Sequence, residues 1–361
     1  MPESTKSSHR DDGLWAVILA GGAGTRFWPI STPRRPKQLL PLGQGASLIE
    51  DTVERLEPLV GVERLRILTG QHLAEPLLQQ VANLTTEQLM VEPQARGTAP
   101  VLAWAAHTIA ARDPDAIMAS LHSDHVIYPG QTFRSQLAQS AEFARAEQRL
   151  ITFGVSPTRP ETGYGYIRVG TQVGGEDSDI YEVAQFVEKP TRETASDYVR
   201  RGYLWNSGIF VWPARLFLEE LKQTAPRLGD LLRLLDDGKV SEFFAEAPTL
   251  SVDEGVLEKS QRVVVMPTRF QWDDVGAWDA VGRTRHADAD GNVSVGQTFT
   301  VDAHDCIAWS EDGTIVLFGV NDLVVVHAGG ITMVAARERT PELKSLLKHL
   351  PRHLRDLSGN E

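Results

Sequence analysis

Four short apolar runs punctuate the first 121 residues: LWAVILA (14–20), LRILT (65–69), QLMVEP (88–93) and DAIMASL (115–121). Between and after them lie SLIEDTVERLEPLV, APVLAWAAHTIAARD and FRSQLAQSAEFARAEQ, whose apolar residues recur at helical spacing. Strands that alternate with amphipathic helices leave few ways to bury both. The pattern predicts an α/β fold with a mixed, mostly parallel Rossmann-like sheet and helices on both faces. In such sheets ligands bind beyond the carboxyl ends of the strands.

From about Gly163 to Trp278 the pattern is less regular. YGYIRV, VAQFVEKP, SGIFVW and RVVVMP read as strands that extend the same sheet. After Gly291 short apolar strands are broken by Gly, Asp and Asn, which predicts a small C-terminal all-β module, meander or solenoid. PELKSLLKHLPRHL reads as a closing amphipathic helix. The expected organisation is a polar, mobile tail over 1–12, a main domain over 13–285 and the β-rich module over 286–361.

The stretch LAGGAGTRFWPISTPRRPKQLLPL (19–42) follows the first strand with three glycines, three arginines, one lysine and four prolines. It lacks the Gly-Lys-Ser/Thr of a P-loop, and Phe27 stands where a dinucleotide fingerprint needs glycine. Pro29, Pro33, Pro36 and Pro41 oppose a helix directly after the glycines. What remains is an ordered, extended loop that offers backbone N–H groups, Arg26 and Lys37 to an anion such as a triphosphate. The chain as a whole is acidic, with 36 basic against 48 acidic residues and a net charge of -12. A local basic loop in an acidic chain fits a small anionic ligand and argues against a nucleic-acid partner. One cysteine, Cys306, excludes an internal disulfide and a cysteine-based zinc site. No apolar run approaches the roughly 20 residues of a membrane span, and the expectation is a cytoplasmic protein without membrane contact.

LHSDH ends the fourth strand. Its Asp124, at a strand's carboxyl end near the glycine loop, can hold a divalent cation against a phosphate; the competing reading is a helix cap or turn residue. His122 and His125 are too close on an extended segment for a zinc site and read as supporting or structural. Thr98 reads as the N-cap of the helix after VEPQARG, and Trp205 and Phe210 as core. Glu92, in VEPQARG, is an acceptor-only carboxylate when ionised and can pair with two adjacent N–H donors.

LAGGAGTRFWPIS with PKQLLPL, VEPQARGTAP, LHSDH, ETGYGYI, FVEKP, YLWNSGIF and WDDVGAW, in that order along nearly the whole chain, resemble the signature motifs of the sugar-1-phosphate nucleotidyltransferases. The Trp-Pro pair and Pro-Lys-Gln resemble the mannose-1-phosphate guanylyltransferase branch. The resemblance implies an enzyme that joins GTP and mannose 1-phosphate into GDP-mannose and pyrophosphate. It implies catalytic roles for Arg26 and Lys37 and nucleotide contacts from Leu19, Gly21, Gly22, Gly24, Thr25, Glu92, Gly97 and Thr98. It implies sugar-phosphate contacts from Gly165, Glu188, Lys189 and Asn206, and a Mg²⁺ held by Asp124 and Asp274, with Asp273 as the neighbour to distinguish. The C-terminal module resembles one that mediates dimers, which implies a homodimer. Two rivals stand beside this reading: the same fold with another nucleotide or hexose phosphate, and a non-catalytic binding paralogue. A fused phosphomannose isomerase does not fit, because the region after Gly291 is short and shows no His/Glu metal cluster.

Overall fold

The computed structural model describes residues 13–22, 24–33, 35–43, 45–175 and 178–355. The tail expected over 1–12 lies outside the described residues. The chain runs β1 (Leu14–Ala20), α1 (Leu48–Leu56), β2 (Leu65–Gly70), α2 (Gln71–Gln80), β3 (Leu89–Glu92), α3 (Thr98–Arg112), β4 (Ile117–His122), β5 (Val126–Tyr128), α4 (Gly130–Glu147) and β6 (Leu150–Val155). It continues through β7 (Tyr166–Val173), β8 (Ile180–Val187), α5 (Arg192–Arg200), β9 (Leu204–Pro213) and α6 (Ala214–Thr224). Three short helices follow, α7 (Pro226–Gly229), α8 (Leu232–Asp236) and α9 (Val240–Glu246), then β10 (Val263–Pro267), β11 (Gln271–Asp273) and α10 (Val281–Thr284). The C-terminal part comprises β12 (Val293–Val301), β13 (Ile307–Phe318), β14 (Leu323–Ala328), β15 (Ile331–Ala336), α11 (Leu343–His349) and α12 (Arg352–Arg355).

β1 is buried at every position because it is an interior strand, flanked by β2 and β4 and covered on both faces. Its side chains alternate between two cores, as the two-residue period of a strand requires. Trp15, Val17 and Leu19 join α3 and α6 on one face, while Leu14, Ala16, Ile18 and Ala20 join α1, α2 and α4 on the other. The nine-stranded sheet has the order β3-β2-β1-β4-β9-β6-β10-β8-β7. β9 runs against β4, β6 and β7, and β8 runs against β10 and β7; the remaining seven strands point one way. The mixed, mostly parallel sheet with helices on both faces is therefore as the alternation predicts. Local signals also hold at α1, where Ser47 and Glu50 close a capping box.

Two sequence expectations need correction. The helix after VEPQARG is capped by Gly97, not Thr98; Thr98 is its first residue, and its hydroxyl accepts from the Val252 N–H at 2.8 Å. The Leu250 carbonyl takes the Ala99 N–H at 3.1 Å, so a distant loop does what a side-chain cap would do. The closing helix is broken: a 3₁₀ turn over Arg337–Glu342 leads into α11, and Pro351, which has no N–H, separates α12.

In the C-terminal sheet β12, β13 and β14 are stacked parallel and β14 returns antiparallel to β15. Successive parallel strands make this a short solenoid rather than a meander. It is not packed apart from the rest. Phe27, Trp28, Val275 and Trp278 share one core with Val293, Ile307, Trp309, Leu343 and Leu347. No helix among the described residues is long and apolar enough to cross a membrane.

Candidate functional site

The register of β1 with β4 pairs Leu19 with His122, so the glycine loop and LHSDH leave the sheet side by side. The loop does not stay extended. Gly24 turns it at φ +55 into a single 3₁₀ turn, Thr25–Phe27, and a second such turn spans Lys37–Leu39. A Cβ on Gly24 would lie 2.2 Å from the Lys37 Cβ, so the glycine serves both the left-handed turn and the seat of the lysine. Arg26 Nη1 donates to the Gly276 carbonyl at 3.0 Å. Arg26 and Lys37 thus reach one cavity of about 290 Å³, together with Thr25, Asp124, Asp274 and Lys344.

Asp124 and Asp274 are 150 positions apart and are brought together by a small antiparallel ribbon. β5 follows Asp124 and β11 precedes Asp274, and the pairing of Val126 with Asp273 aligns the two loops at one end. Lys37 Nζ donates to Asp124 Oδ2 at 2.9 Å and to the Asp274 carbonyl. Burial alone would raise the Asp124 pKa, but Lys37 and the two flanking histidines hold it down to about 2. Asp274 is pushed up by burial and by the neighbouring Asp273 and Asp124, although Lys37 and the Tyr164 hydroxyl oppose this. Two carboxylates that repel one another across one cavity are an arrangement a divalent cation relieves. Asp273 points elsewhere: it caps the Val275 N–H at 2.8 Å and takes Arg283 Nε at 2.7 Å.

His122, Asp124 and His125 also bring their ligand atoms within 4.8 Å of one another. His125 Nδ1 accepts from Trp272 Nε1 at 3.0 Å, and burial keeps its pKa well below the usual value. A neutral ring accepting at Nδ1 carries its proton on Nε2 and has no lone pair left for a metal. The hard carboxylates are the better ligands, and the histidines line the floor.

A second cavity, of about 190 Å³, adjoins the first and shares His122, His125 and Asp274 with it. Gly165, Glu188, Asn206 and Asp253 line it. A Cβ on Gly165 would sit 2.6 Å from Glu188 Oε2, so this glycine makes room for the carboxylate. Asn206 donates Nδ2 to Asp253 at 2.8 Å and accepts at Oδ1 from the Thr152 hydroxyl at 2.8 Å, which fixes its orientation. Lys189 is exposed at the rim and bonds Glu188 at 2.6 Å. Leu19 and Thr98 border this cavity too. Glu92 ends β3, partly buried, with its pKa raised by burial and no hydrogen bond or ion pair among the described residues. Gly97, at φ +84, keeps its Cα against the Leu250 carbonyl, where a Cβ would come to 2.5 Å. Gly21 and Gly22 are exposed beside the mouth.

Tyr164, Asp253 and Lys344 escape the sequence reading. Tyr164 lies within ETGYGYI, but its hydroxyl bond to Asp274 depends on a fold that brings the loop before β7 against the end of β11. Asp253 opens a π-helical turn, Asp253–Leu257, an irregularity common at functional sites, and no motif marks it. Its pKa is raised to about 6 by burial and by the charge of Glu188. A raised carboxylate pKa means that the folded chain holds the proton more tightly. Stability at this group is therefore full below about pH 4 and is lost as pH rises towards 6. Asp253→Asn should raise the Tm at pH 7–8, by the equivalent of about 1–2 kcal/mol after discounting its partial exposure, and leave it unchanged at pH 4. Calorimetry at the two pH values checks this; a gain of equal size at both would mean that the charge is not its source.

Residues 15–290 match the family described as nucleotidyl transferase, and residues 296–350 the one described as the MannoseP isomerase/GMP-like beta-helix domain. The mannose-1-phosphate guanylyltransferase of Escherichia coli K12 is 37% identical over 353 residues, which cover 93% of this chain and 73% of that protein. The mannose-1-phosphate guanylyltransferase of Klebsiella pneumoniae is 35% identical over 355 residues, 95% of this chain and 75% of its own. Among solved structures, one described as a mannose-1-phosphate geranyltransferase from Thermus thermophilus superposes with a TM-score of 0.85 at 34% identity. It covers 93% of this chain and 99% of its own.

Proposed function

The chain belongs to the mannose-1-phosphate guanylyltransferases of the nucleotidyl transferase family, and from that premise we infer how its cleft transfers GMP from GTP to α-D-mannose 1-phosphate, forming GDP-mannose and pyrophosphate. The observation that carries this reading is the pair of adjoining cavities, one cationic and glycine-walled, the other lined by carboxylates and an amide, with Asp274 at their junction. A phosphate oxygen of the hexose phosphate attacks the α-phosphorus in line. The bond from that phosphorus to the bridging oxygen breaks, and pyrophosphate leaves. The attacking phosphate is already ionised, so no side-chain nucleophile is needed; catalysis is positioning and charge neutralisation.

Arg26, Lys37 and the amides of Gly21, Gly22, Gly24 and Thr25 take the triphosphate. Glu188 and Asn206 bind sugar hydroxyls, Gly165 gives them room, and Lys189 meets the sugar phosphate. Asp124 and Asp274 would hold Mg²⁺, which when bound neutralises the two phosphates that must approach one another. Leu19, Gly97 and Thr98 border the nucleoside. We place the reaction in the cytoplasm. Pyrophosphate release measured over a panel of nucleoside triphosphates and hexose 1-phosphates tests the assignment. Highest kcat/KM for GTP with mannose 1-phosphate is expected, and a preference for another pair would overturn it.

Glu92 is assigned to the guanine edge, on the support of its open acceptor capacity. Glu92→Gln turns one acceptor into a donor facing N1–H or N2–H₂. It should lower kcat/KM for GTP by about 10–100-fold and for ITP, which lacks the N2 amine, by clearly less. An equal loss with both nucleotides would assign the base contact to backbone groups.

A homodimer is supported by an apolar patch on the solenoid. Phe299 and Val301 of β12 lie beside Val316 and Phe318 of β13, and all four are more than half exposed. Phe318→Asp is expected to convert a dimer to monomer in light scattering; a monomeric wild-type protein would refute the assignment.

A further inference from the structure

The helix α11 brings a charged side chain to the phosphate cavity from the far end of the chain. Leu343 and Leu347 anchor it in the core that also holds Phe27, Trp28, Ile30 and Val275. Trp28 Nε1 donates to the Leu354 carbonyl at 3.1 Å, which ties the end of the glycine loop to the segment after α11. Lys344 lies between the two leucines, exposed, and lines the same cavity of about 290 Å³ as Arg26 and Lys37. The other two cations are engaged within the protein, Arg26 with the Gly276 carbonyl and Lys37 with Asp124. Lys344 makes no hydrogen bond or ion pair among the described residues. It borders only the cationic cavity and not the neighbouring one.

We propose that Lys344 binds the pyrophosphate end of GTP and holds that group as it leaves. The proposal rests on the reaction inferred above and adds a phosphate contact from outside the nucleotidyl transferase segment. The physical argument concerns direction. The α-phosphorus must lie where the cavities meet, at Asp274, because the sugar phosphate arrives from the side of Glu188 and Asn206. The β- and γ-phosphates then extend away from that junction, into the cationic cavity. There charge is greatest when pyrophosphate departs, and a flexible ammonium at an open mouth can follow a leaving anion. The position also gives the solenoid a task in the reaction: it presents this lysine and packs against the loop that carries Arg26.

The test uses the full chain. Titration of wild type, Lys344→Ala, Lys344→Arg and Lys344→Glu with inorganic pyrophosphate and Mg²⁺ reads the contact whatever hexose the protein uses. Lys344→Ala should weaken pyrophosphate about 10-fold, as expected of one charge-assisted hydrogen bond, and Lys344→Glu should weaken it further. Lys344→Arg should retain most of the affinity. In kinetics the KM for GTP, and for pyrophosphate in the reverse direction, should rise together, while those for mannose 1-phosphate and GDP-mannose stay within about twofold. Unchanged thermal unfolding in Lys344→Ala, expected of an exposed side chain, separates a contact from a folding defect. Unaltered pyrophosphate affinity in Lys344→Ala, or a loss confined to the sugar phosphate, overturns the proposal. If wild type fails to join GTP and mannose 1-phosphate but pyrophosphate binding still depends on Lys344, the substrate assignment falls and the lysine contact stands.

Discussion

Asp274→Asn is expected to lower kcat by about 10²–10³-fold, the scale seen when one preorganised electrostatic contact to the transition state is removed. The carboxylate borders both cavities and shares the cationic one with Asp124. Replacing it removes one of two hard oxygen ligands, so the Mg²⁺ concentration at half-maximal rate should rise as kcat falls. The substitution also relieves the repulsion between the carboxylates, and the metal-free protein should be no less stable than wild type. Asp273→Asn is the control. It leaves the cleft intact but weakens the Arg283 pair and the cap on Val275. It should therefore lower the Tm and leave the Mg²⁺ dependence alone. A near-normal kcat with an unchanged Mg²⁺ titration in Asp274→Asn, or the reverse assignment between the two aspartates, would remove Asp274 from the metal site.

That pair of aspartates marks how far the sequence could be read. Their neighbourhood in WDDVGAW was visible, but the choice between them depends on which side of a three-residue strand, β11, each leaves. The parallel half of the sheet was legible because each strand is a short apolar run and each helix has a periodic apolar face, both local properties. That no α-helix follows the glycines was legible because the loop's prolines and glycines act on their own backbone, whereas its two 3₁₀ turns were not. Asp253 was not, because its significance lies in a hydrogen bond to Asn206, 47 positions away, and in the charge of Glu188. Lys344 was hidden by the same cause. In a helix read by its apolar spacing, a lysine between two buried leucines looks like solvated surface, and only the packing of α11 against the loop around Phe27 and Trp28 shows what it borders. The cap at Thr98 failed because a distant carbonyl, that of Leu250, satisfied the helix end instead.

Lys37→Ala is expected to cost a comparable factor in kcat, about 10²–10³-fold, through two effects that a second variant separates. The ammonium, nearly buried, donates to Asp124 and to the Asp274 carbonyl, so it both neutralises the cavity and holds the two loops in register. Truncation leaves Asp124 without its main cation and a buried carbonyl without a donor, each unfavourable in a site of low dielectric. Lys37→Met keeps most of the buried aliphatic stem but removes the charge. It should preserve more of the Tm than Lys37→Ala and lose as much kcat. Lys37→Arg should rescue little, because a planar guanidinium presents its donors in a fixed fork and does not reproduce the single Nζ that reaches both Asp124 and the Asp274 carbonyl. The KM for GTP should rise in all three, and added Mg²⁺ should not restore kcat, since a cation on the two carboxylates does not replace an ammonium that meets the triphosphate and ties the two loops together. Full activity in Lys37→Met would show that the lysine's stem, and not its charge, is what the site requires.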